Sequence, residues 1–477
     1  MNRYRLLLIY IAVAISTSIA HSGENVRPQA LPEEWDHYGK IVFRSEPLTN
    51  LKQMDPGVHL FGRSSFRPWN SSYWPTQKGM IAHRYADPQS PKSTKWFTNF
   101  DYYVSQPPAS YVAAGRIADL SPAEKYDLLV DDPEWTLTQR MWQKGEPAAK
   151  KYGNVPKWWG LCHGWAAVIH TGIPDPGHAI QVMSANGQHI VTFYPEDIRA
   201  LLTYLWGTSA PRASRAGERC TQGQPRMDEN GRVIEPYCFD NNPKTWHLTV
   251  VNRVGRDGDS LVMDSAVGSE VWNYAIDSYV LRYFDVRTLK PARYWEQVKV
   301  DRSQFAFDPY KTFRAEKTKY IVGVDMEVFY PTATVPRARK ATRTMYGSKR
   351  FTYDLELDEN MNVIGGEWYS TERPDFVWTF PFEARPSIPE DAHMTGEWGI
   401  FAQLPPQWAE QARVASRQGR ISAKIVDALH ERSLLGDLKP NEPAPEQPTP
   451  EPEPEVPELA AAPNEAETHS APVPSSP

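Results

Sequence analysis

Cysteine is scarce in this sequence, as are long apolar runs and any excess of one charge in the body of the chain. The 477 residues include three cysteines, none of them in a CxxC pair, and the histidines lack metal-ligand spacing. A structural zinc centre needs four ligands at suitable spacing, so we predict no metal site. The net charge of −6 is concentrated in the tail at residues 440–477, which has eight acidic and no basic residues. The near-neutral body excludes the basic footprint of a nucleic-acid-binding protein.

The main apolar run lies at the N-terminus, between residues 6 and 15. Arginines at positions 3 and 5 precede it, and small residues follow as far as Ala20. This order is typical of a secretory signal peptide, so we predict that residues 1–20 are removed and that the mature protein is secreted or periplasmic. The alternative is an uncleaved membrane anchor, which needs an apolar span of about 20 residues. No other stretch is that long, so we expect no membrane span after cleavage.

Export changes the meaning of the three cysteines, because thiols tend to pair in an oxidising compartment. Cys220 and Cys238 flank a polar loop that has little core of its own. We therefore predict a disulfide between them, which leaves Cys162 as the free thiol.

Cys162 lies in the sequence WWGLCHGW at residues 158–165, just before an apolar run that predicts a helix. A thiol at a helix N-terminus faces unpaired N–H groups and the positive end of the helix dipole, which lower its pKa. The motif therefore predicts a reactive cysteine. The alternative is a small buried hydrophobic residue, as most free cysteines are. A lone thiol in an oxidising compartment favours the reactive cysteine.

Helical and strand-like patterns occupy different parts of the chain. Ser121 with Glu124 predicts a capped helix start, and Asn186-Gly187 predicts a β-hairpin turn. Other segments with the pattern of regular elements are helices from Cys162, at 195–206, 407–416 and 420–435, and strands within 246–264, 279–285, 319–329 and 351–368. Strands dominate from 246 to 384, which indicates an α+β fold.

Composition divides the chain into five parts. After the signal peptide at 1–20, residues 21–64 are turn-rich and are predicted to form an extended arm. Residues 65–385 carry the candidate site and form the predicted catalytic domain, and residues 386–439 form a charged helical extension. The Pro/Glu-rich residues 440–477 cannot bury enough apolar surface to fold, so we predict a disordered tail.

A cysteine nucleophile needs a base, and the base needs a group that orients it. The run 246–264 predicts two antiparallel strands, with His247 on the first and Asp264 closing the second. With an ideal two-residue turn, Asp264 lies opposite Val251. That position is about 13 Å along the strand from His247, so a bulge or a wider loop is required to bring the carboxylate to the imidazole. Asn252 is the alternative orienting residue.

Other histidines compete for the role of base. His163 is adjacent to Cys162 on the predicted helix and points about 100° away from it, which makes it a poor base. Three others remain candidates: His170, His178 and His189. The turn residues Asp257 and Asp259 carry oxygen ligands of the kind that calcium binds, and an ordinary solvated turn explains them equally well.

Seven motifs together resemble the transglutaminase elicitor family, which is typified by oomycete cell-wall glycoproteins that plants sense and has many bacterial relatives. In order they are PWNSSYWP at 68–75, SPAEKYD at 121–127, WWGLCHGW at 158–165, YPEDIRALL at 194–202, CFDNNPKTWHLTVVN at 238–252, LVMDSAVGSEVWN at 261–273 and IGGEWYSTERPDFVW at 364–378. Ordered matches over residues 65–385 are more specific than any single motif.

The resemblance implies a papain-like core and a Cys-His-Asp triad formed by Cys162, His247 and Asp264. It implies attack on a glutamine side-chain amide, loss of ammonia through a thioester, and capture by a lysine amine. The partners would be proteins with Gln and Lys side chains. The chemistry needs no cofactor, although some members depend on calcium. VWNYA at 271–275 resembles the surface-exposed VWNQP segment of the family but lacks its Gln-Pro, so we do not expect immune recognition by plants.

We therefore predict an exported acyltransferase of transglutaminase type. The Cys162 N–H and a ring N–H from Trp158 or Trp159 would stabilise the oxyanion. The tryptophans would also exclude water, which decides between crosslinking and hydrolysis. Two alternatives remain, a cysteine amidase or peptidase with the same triad and a non-catalytic wall-associated protein.

Overall fold

The computed structural model describes most of the chain between residues 41 and 436. The described ranges are 41–54, 60–221, 225–229, 232–266, 269–338, 344–370, 372–399 and 402–436. The predicted signal peptide, the arm before residue 41 and the tail at 440–477 lie outside these ranges. Within the described ranges, no helix is both long and apolar enough to cross a membrane.

Helices predominate in the first half of the described chain and return at its end. Their bounds are α1 (Leu51–Met54), α2 (Trp96–Ser105), α3 (Pro108–Ala113), α4 (Pro122–Leu129), α5 (Thr136–Tyr152), α6 (Cys162–His170), α7 (Pro195–Ser209), α8 (Pro243–Val250), α9 (Pro406–Arg417) and α10 (Ala423–Leu435). Several of them begin at a proline, whose fixed backbone angle suits the first turn and whose missing N–H has no partner there anyway.

The described strands pair in antiparallel sheets. Their bounds are β1 (Phe61–Arg63), β2 (Ile180–Met183), β3 (Ile190–Phe193), β4 (Ser214–Gly217), β5 (Val262–Asp264), β6 (Asn273–Ala275), β7 (Ser278–Phe284), β8 (Pro291–Ala292), β9 (Val300–Asp301), β10 (Tyr320–Pro331), β11 (Tyr346–Leu357), β12 (Val363–Gly365) and β13 (Phe376–Thr379). The large sheet has the order β1-β7-β10-β11-β12, with β8 on β7 and β9 on β10. A four-stranded sheet has the order β4-β13-β5-β6, and β2 pairs with β3.

Most of the predicted elements are confirmed. Ser121 and Glu124 form the predicted capping box at the start of α4. Gly187 has a positive φ of 71° in the turn between β2 and β3, as the Asn-Gly signal requires. Helices α6, α7, α9 and α10 and strands β7, β10, β11 and β12 occupy the predicted segments. The α+β fold class is therefore confirmed.

The hairpin predicted over 246–264 is wrong. Its first half is helical, because α8 is continued by a π-helix at Val251–Arg256, and only β5 is extended. The signals for this helix are Asn242, whose side chain caps it, and Pro243 in its first turn. The helix is buried on almost every side, so it lacks the one-sided pattern of an amphipathic helix, and its β-branched residues suggest a strand instead.

Two hydrophobic cores lie on opposite faces of the four-stranded sheet. Successive side chains of a strand point to opposite faces. Val262 and Trp378 accordingly belong to the first core, together with α4 to α7, α9 and α10. Met263 and Val377 belong to the second core, together with α8 and the large sheet. The four-stranded sheet therefore separates the environment of α6 from that of α8.

Candidate functional site

Cys162 is the first residue of α6 and is 6% exposed. The residues just before α6 pack closely against the backbone of Tyr73. The Leu161 N–H donates to the Tyr73 carbonyl oxygen at 2.6 Å, and a Cβ on Gly160 would lie 2.5 Å from that same oxygen. A Cβ on Gly164 would overlap a carbonyl of α7. The two glycines therefore let α6 start against one segment and pack against another.

The sulfur of Cys162 faces the start of β6. It lies 3.6 Å from Asn273 Nδ2 and 3.7 Å from the carbonyl oxygen of Val271. Burial raises the pKa of the Cys162 thiol, whereas the backbone and side-chain N–H groups of Asn273 and the backbone N–H of His163 lower it. Burial has the larger effect, so the prediction of a lowered thiol pKa is wrong. The thiol therefore needs a base to take its proton when it attacks.

Asp264 lies on the same face of the sheet, directly opposite Asn273 in the register of β5 and β6. Its Oδ1 accepts hydrogen bonds from the backbone N–H groups of Ala266 at 3.2 Å and Trp272 at 2.9 Å. Its Oδ2 is buried and has no hydrogen-bond partner among the described residues. Burial raises the pKa of Asp264 to about 6, so this carboxyl group can exchange a proton near neutral pH.

Two aromatic residues, Tyr73 and Trp272, lie on the segments that contact the start of α6 and the sulfur. The rings of Tyr73 and Trp272 pack edge to face, with their centroids 5.3 Å apart. Burial raises the pKa of Tyr73, whose hydroxyl donates to the Lys157 carbonyl oxygen at 3.0 Å. Both aromatic residues are half-buried, so they shield the site without closing it.

The predicted disulfide between Cys220 and Cys238 is present, and Cys162 is the free cysteine. The residue before Cys220 is Arg219, whose guanidinium lies 5.1 Å from the centre of the Trp158 ring and donates to the Ser269 carbonyl. The positive charge of Arg219 also partly offsets the effect of burial on the pKa of Asp264. The disulfide therefore anchors a loop that reaches the site.

His247 lies on the other side of the four-stranded sheet. Its imidazole is 1% exposed, and its Nδ1 is 2.9 Å from the hydroxyl oxygen of Tyr353. Tyr353 and the neighbouring Trp246 belong to the second core, whereas α6 belongs to the first. The structure therefore brings Cys162 and Asp264 to one face and does not bring His247 to them. The role of His247 as the base stays a prediction.

Among the described residues, none of the other candidate histidines forms a hydrogen bond with the Cys162 sulfur, whose partners are Val271 and Asn273. His163 Nε2 lies 3.3 Å from the carbonyl oxygen of Gly207, on the far side of α6 from β6. His170 is buried against aromatic rings at the end of α6, and burial lowers its pKa to about 3. His178 Nδ1 lies 3.0 Å from a carbonyl oxygen of α10, and His189 precedes β3.

Asn252, the alternative orienting residue, and the turn residues Asp257 and Asp259 form hydrogen bonds or ion pairs with other residues. The amide of Asn252 exchanges hydrogen bonds with the backbone of Leu48. Asp259 forms an ion pair with Arg44 at 2.7 Å, and Asp257 accepts from the Arg44 backbone N–H. No group of three or more His, Cys, Asp or Glu side chains among the described residues is arranged to hold a metal ion. These residues do not fit a calcium site.

The residue that donates a hydrogen bond to the sulfur could not be identified from the sequence. Trp158 and Trp159 pack edge to face near the start of α6, but the side chain that donates to the sulfur is Asn273. Asn273 in turn accepts a hydrogen bond from Trp378 at 2.8 Å. Asn273 belongs to a motif that carries the family resemblance, but only the pairing of β5 with β6 shows that it faces Cys162. The role of the two tryptophans stays a prediction.

An α+β fold with this free thiol beside a sheet is that of a transglutaminase-like protein. Residues 43–395 match the family model described as transglutaminase elicitor, and the chain belongs to that family. The crystal structure of the GP42 transglutaminase from Phytophthora sojae is similar, with a TM-score of 0.52 and 17% sequence identity over 85% of this chain and 99% of that chain. At this identity the likeness shows the fold alone. None of the curated proteins compared with the chain matches it.

Proposed function

We propose that this protein is an exported protein-glutamine γ-glutamyltransferase, which forms Gln-Lys isopeptide bonds through a thioester on Cys162. The observation that carries the proposal is the free, buried thiol at the start of α6, flanked on one sheet face by Asn273 and Asp264. Membership of the transglutaminase elicitor family supports acyl transfer as the reaction.

The reaction proceeds through two acyl-transfer steps. The Cys162 sulfur attacks the carbonyl carbon of a glutamine side chain while the thiol proton passes to the base. The C–N bond then breaks, the proton goes to the leaving group, and ammonia departs from a thioester. A lysine amine attacks that thioester, an isopeptide bond forms, and the thiol regains a proton.

Asp264 has two properties that suit the proton transfer. Its Oδ2 is buried without a partner, and its pKa of about 6 lets it accept a proton and return it near neutral pH. We therefore assign the proton transfer to Asp264. The imidazole of His247 is the sequence-based alternative for the same step.

The substrates of this reaction are proteins, because a glutamine side chain supplies the acyl group and a lysine side chain supplies the amine. The rings of Tyr73 and Trp272 would restrict water at the thioester and so favour the amine. The disulfide suits an oxidising compartment, in line with the predicted secretion or periplasmic location. Calcium dependence stays a prediction without a candidate ligand set in the described residues.

The test is incorporation of a labelled primary amine into a glutamine-containing protein. We expect incorporation with matching release of ammonia, and its loss in Cys162→Ala at an unchanged unfolding midpoint. Release of ammonia without incorporation would identify the amidase alternative, in which water resolves the thioester. Absence of both products would remove the acyltransferase proposal.

A non-catalytic wall-associated protein is the second candidate, and two observations favour it. The pKa of the Cys162 thiol is raised, and His247 is on the opposite face of the sheet. Mass spectrometry of the protein after incubation with a glutamine donor and no amine distinguishes the two functions. A reactive site forms an acyl thioester on Cys162, whereas a degenerate site forms none.

A further inference from the structure

The side-chain amide of Asn273 has an orientation that its surroundings dictate. An indole N–H is a donor only, so the atom of Asn273 that faces Trp378 Nε1 at 2.8 Å must be the amide oxygen. The NH₂ group then points the other way, where Nδ2 lies 3.6 Å from the Cys162 sulfur. The indole of Trp378 thus aims a hydrogen-bond donor at the nucleophile.

Packing holds this arrangement in place. Asn273 is 4% exposed, and its backbone pairs with Asp264 across β5 and β6. The Trp378 ring packs edge to face against His170 and Phe380 with centroid distances of 5.8 and 5.4 Å. A buried donor held by packed neighbours does not need to reorganise when charge develops nearby, which is the property of an effective oxyanion site.

We propose that Asn273 stabilises the oxyanion formed on the glutamine amide, with Trp378 as the positioning residue that orients it. The inference rests on the proposed function. As the C–S bond forms, an electron pair moves onto the amide oxygen, which accepts hydrogen bonds from Asn273 Nδ2 and from the Cys162 backbone N–H at the helix start. The pair returns to the carbonyl as the C–N bond breaks. Asn273 is thus a catalytic residue that also donates to the sulfur before attack.

The test uses three variants of the full chain. Asn273→Leu keeps the shape of the side chain and removes the donor, and Trp378→Phe removes the indole N–H that orients the amide. Trp206→Phe is the matched control, because Trp206 lines the same surface pocket as Trp378 and only Trp378 donates to Asn273. The readouts are kcat and KM for amine incorporation, and the pH profile of Cys162 alkylation by iodoacetamide.

We expect Asn273→Leu to lower kcat by about 10²- to 10³-fold, the effect of removing one oxyanion donor, with little change in KM. Its alkylation profile should shift to higher pH, because the sulfur loses a donor. Trp378→Phe should change both readouts in the same direction by less, and Trp206→Phe should change neither. If Asn273→Leu unfolds, Asn273→Asp repeats the test, since a carboxylate still accepts from the indole but cannot donate.

Wild-type kcat and an unshifted alkylation profile in Asn273→Leu would overturn the inference. An inactive wild-type protein would instead overturn the proposed function. In that case the alkylation profile alone decides, because a shift supports Asn273 as the donor to the sulfur and an unchanged profile rejects it.

Discussion

The two faces of the four-stranded sheet carry different parts of the predicted triad. On one face, the Cys162 sulfur contacts Asn273, which pairs with Asp264 across β5 and β6. On the other face, His247 contacts Tyr353 in the second core. Both environments are buried, but they differ in whether the buried polar atoms have hydrogen-bond partners. Asp264 keeps an oxygen without a partner, at a cost in stability, whereas the imidazole has a hydroxyl partner. On this difference we base the proposal that the face of α6 is the reactive one.

This difference shows why the order of Cys, His and Asp along a chain does not define a site. A one-residue change in strand register moves a side chain to the opposite face of a sheet. A helix in place of a strand has a similar effect here, because α8 packs on the large sheet and carries His247 with it. The identity of the base therefore depends on the face that a residue occupies.

The largest expected effect is on the reactive face. Asp264→Asn keeps an acceptor for the backbone N–H groups of Ala266 and Trp272 but removes the proton acceptor. We expect kcat for amine incorporation to fall by about 10²- to 10⁴-fold, the usual contribution of a general base. Asp285→Asn, which alters an exposed pair with Arg287, is the control and should leave kcat unchanged. Wild-type kcat in Asp264→Asn would reject Asp264 as the base.

The pH dependence of stability tests the same carboxyl group. Burial raises the pKa of Asp264 from 3.8 to about 6, so the folded state binds its proton more tightly than the unfolded state does. The free energy of unfolding should therefore fall as the pH rises from about 4 to 6, by up to about 3 kcal/mol. Activity should rise over the same range. Urea denaturation of Asp264→Asn should lack this fall, and parallel curves for the variant and the wild type would contradict the assignment.

The disulfide should contribute stability to the reactive side of the molecule. Cys220 and Cys238 are separated by 18 positions, and closing a loop of this size restricts the unfolded chain by about 3 kcal/mol. We expect the double variant Cys220→Ala/Cys238→Ala to lower the free energy of unfolding by about that amount in urea. Its kcat should also fall, because Arg219 beside Trp158 loses its anchor. Unchanged stability and kcat would show that the loop is independent of the site.

The smallest expected effect is on the opposite face. Tyr353→Phe removes the hydroxyl that pairs with His247 and should lower the free energy of unfolding by about 1 kcal/mol. Since Tyr353 lies in the second core, kcat for amine incorporation should not change. Urea denaturation and the amine assay measure the two quantities on one preparation. A large loss of kcat at normal stability would link this face to the chemistry.

Structural features that depend on a few neighbouring residues could be predicted from the sequence. The capping box at Ser121, the Asn186-Gly187 turn and the helix start at Cys162 depend on side chains within one turn of each other. The pairing of Cys220 with Cys238 followed from the count of cysteines and the predicted compartment. The predominance of strand patterns from 246 to 384, with helical patterns elsewhere, was enough to predict the α+β class.

Features that depend on distant contacts could not be predicted in this way. Helix α8 is buried on almost every side, so its pattern gave no helical period, and the local clues were the cap at Asn242 and Pro243 in the first turn. The raised thiol pKa of Cys162 reflects burial by the whole core, which outweighs the local helix start. The contact of Asn273 with the sulfur depends on the pairing of β5 with β6, which no local spacing specifies.

The most direct test compares the two faces in a single amine-incorporation assay with His247→Gln and Asp264→Asn, each shown to be folded by its unfolding midpoint. If the face of α6 is the reactive one, His247→Gln lowers kcat by less than about tenfold, well short of the 10²- to 10⁴-fold contribution of a general base. Asp264→Asn shows the full loss. Loss of turnover in His247→Gln with normal turnover in Asp264→Asn would contradict the assignment of the base to the Cys162 face.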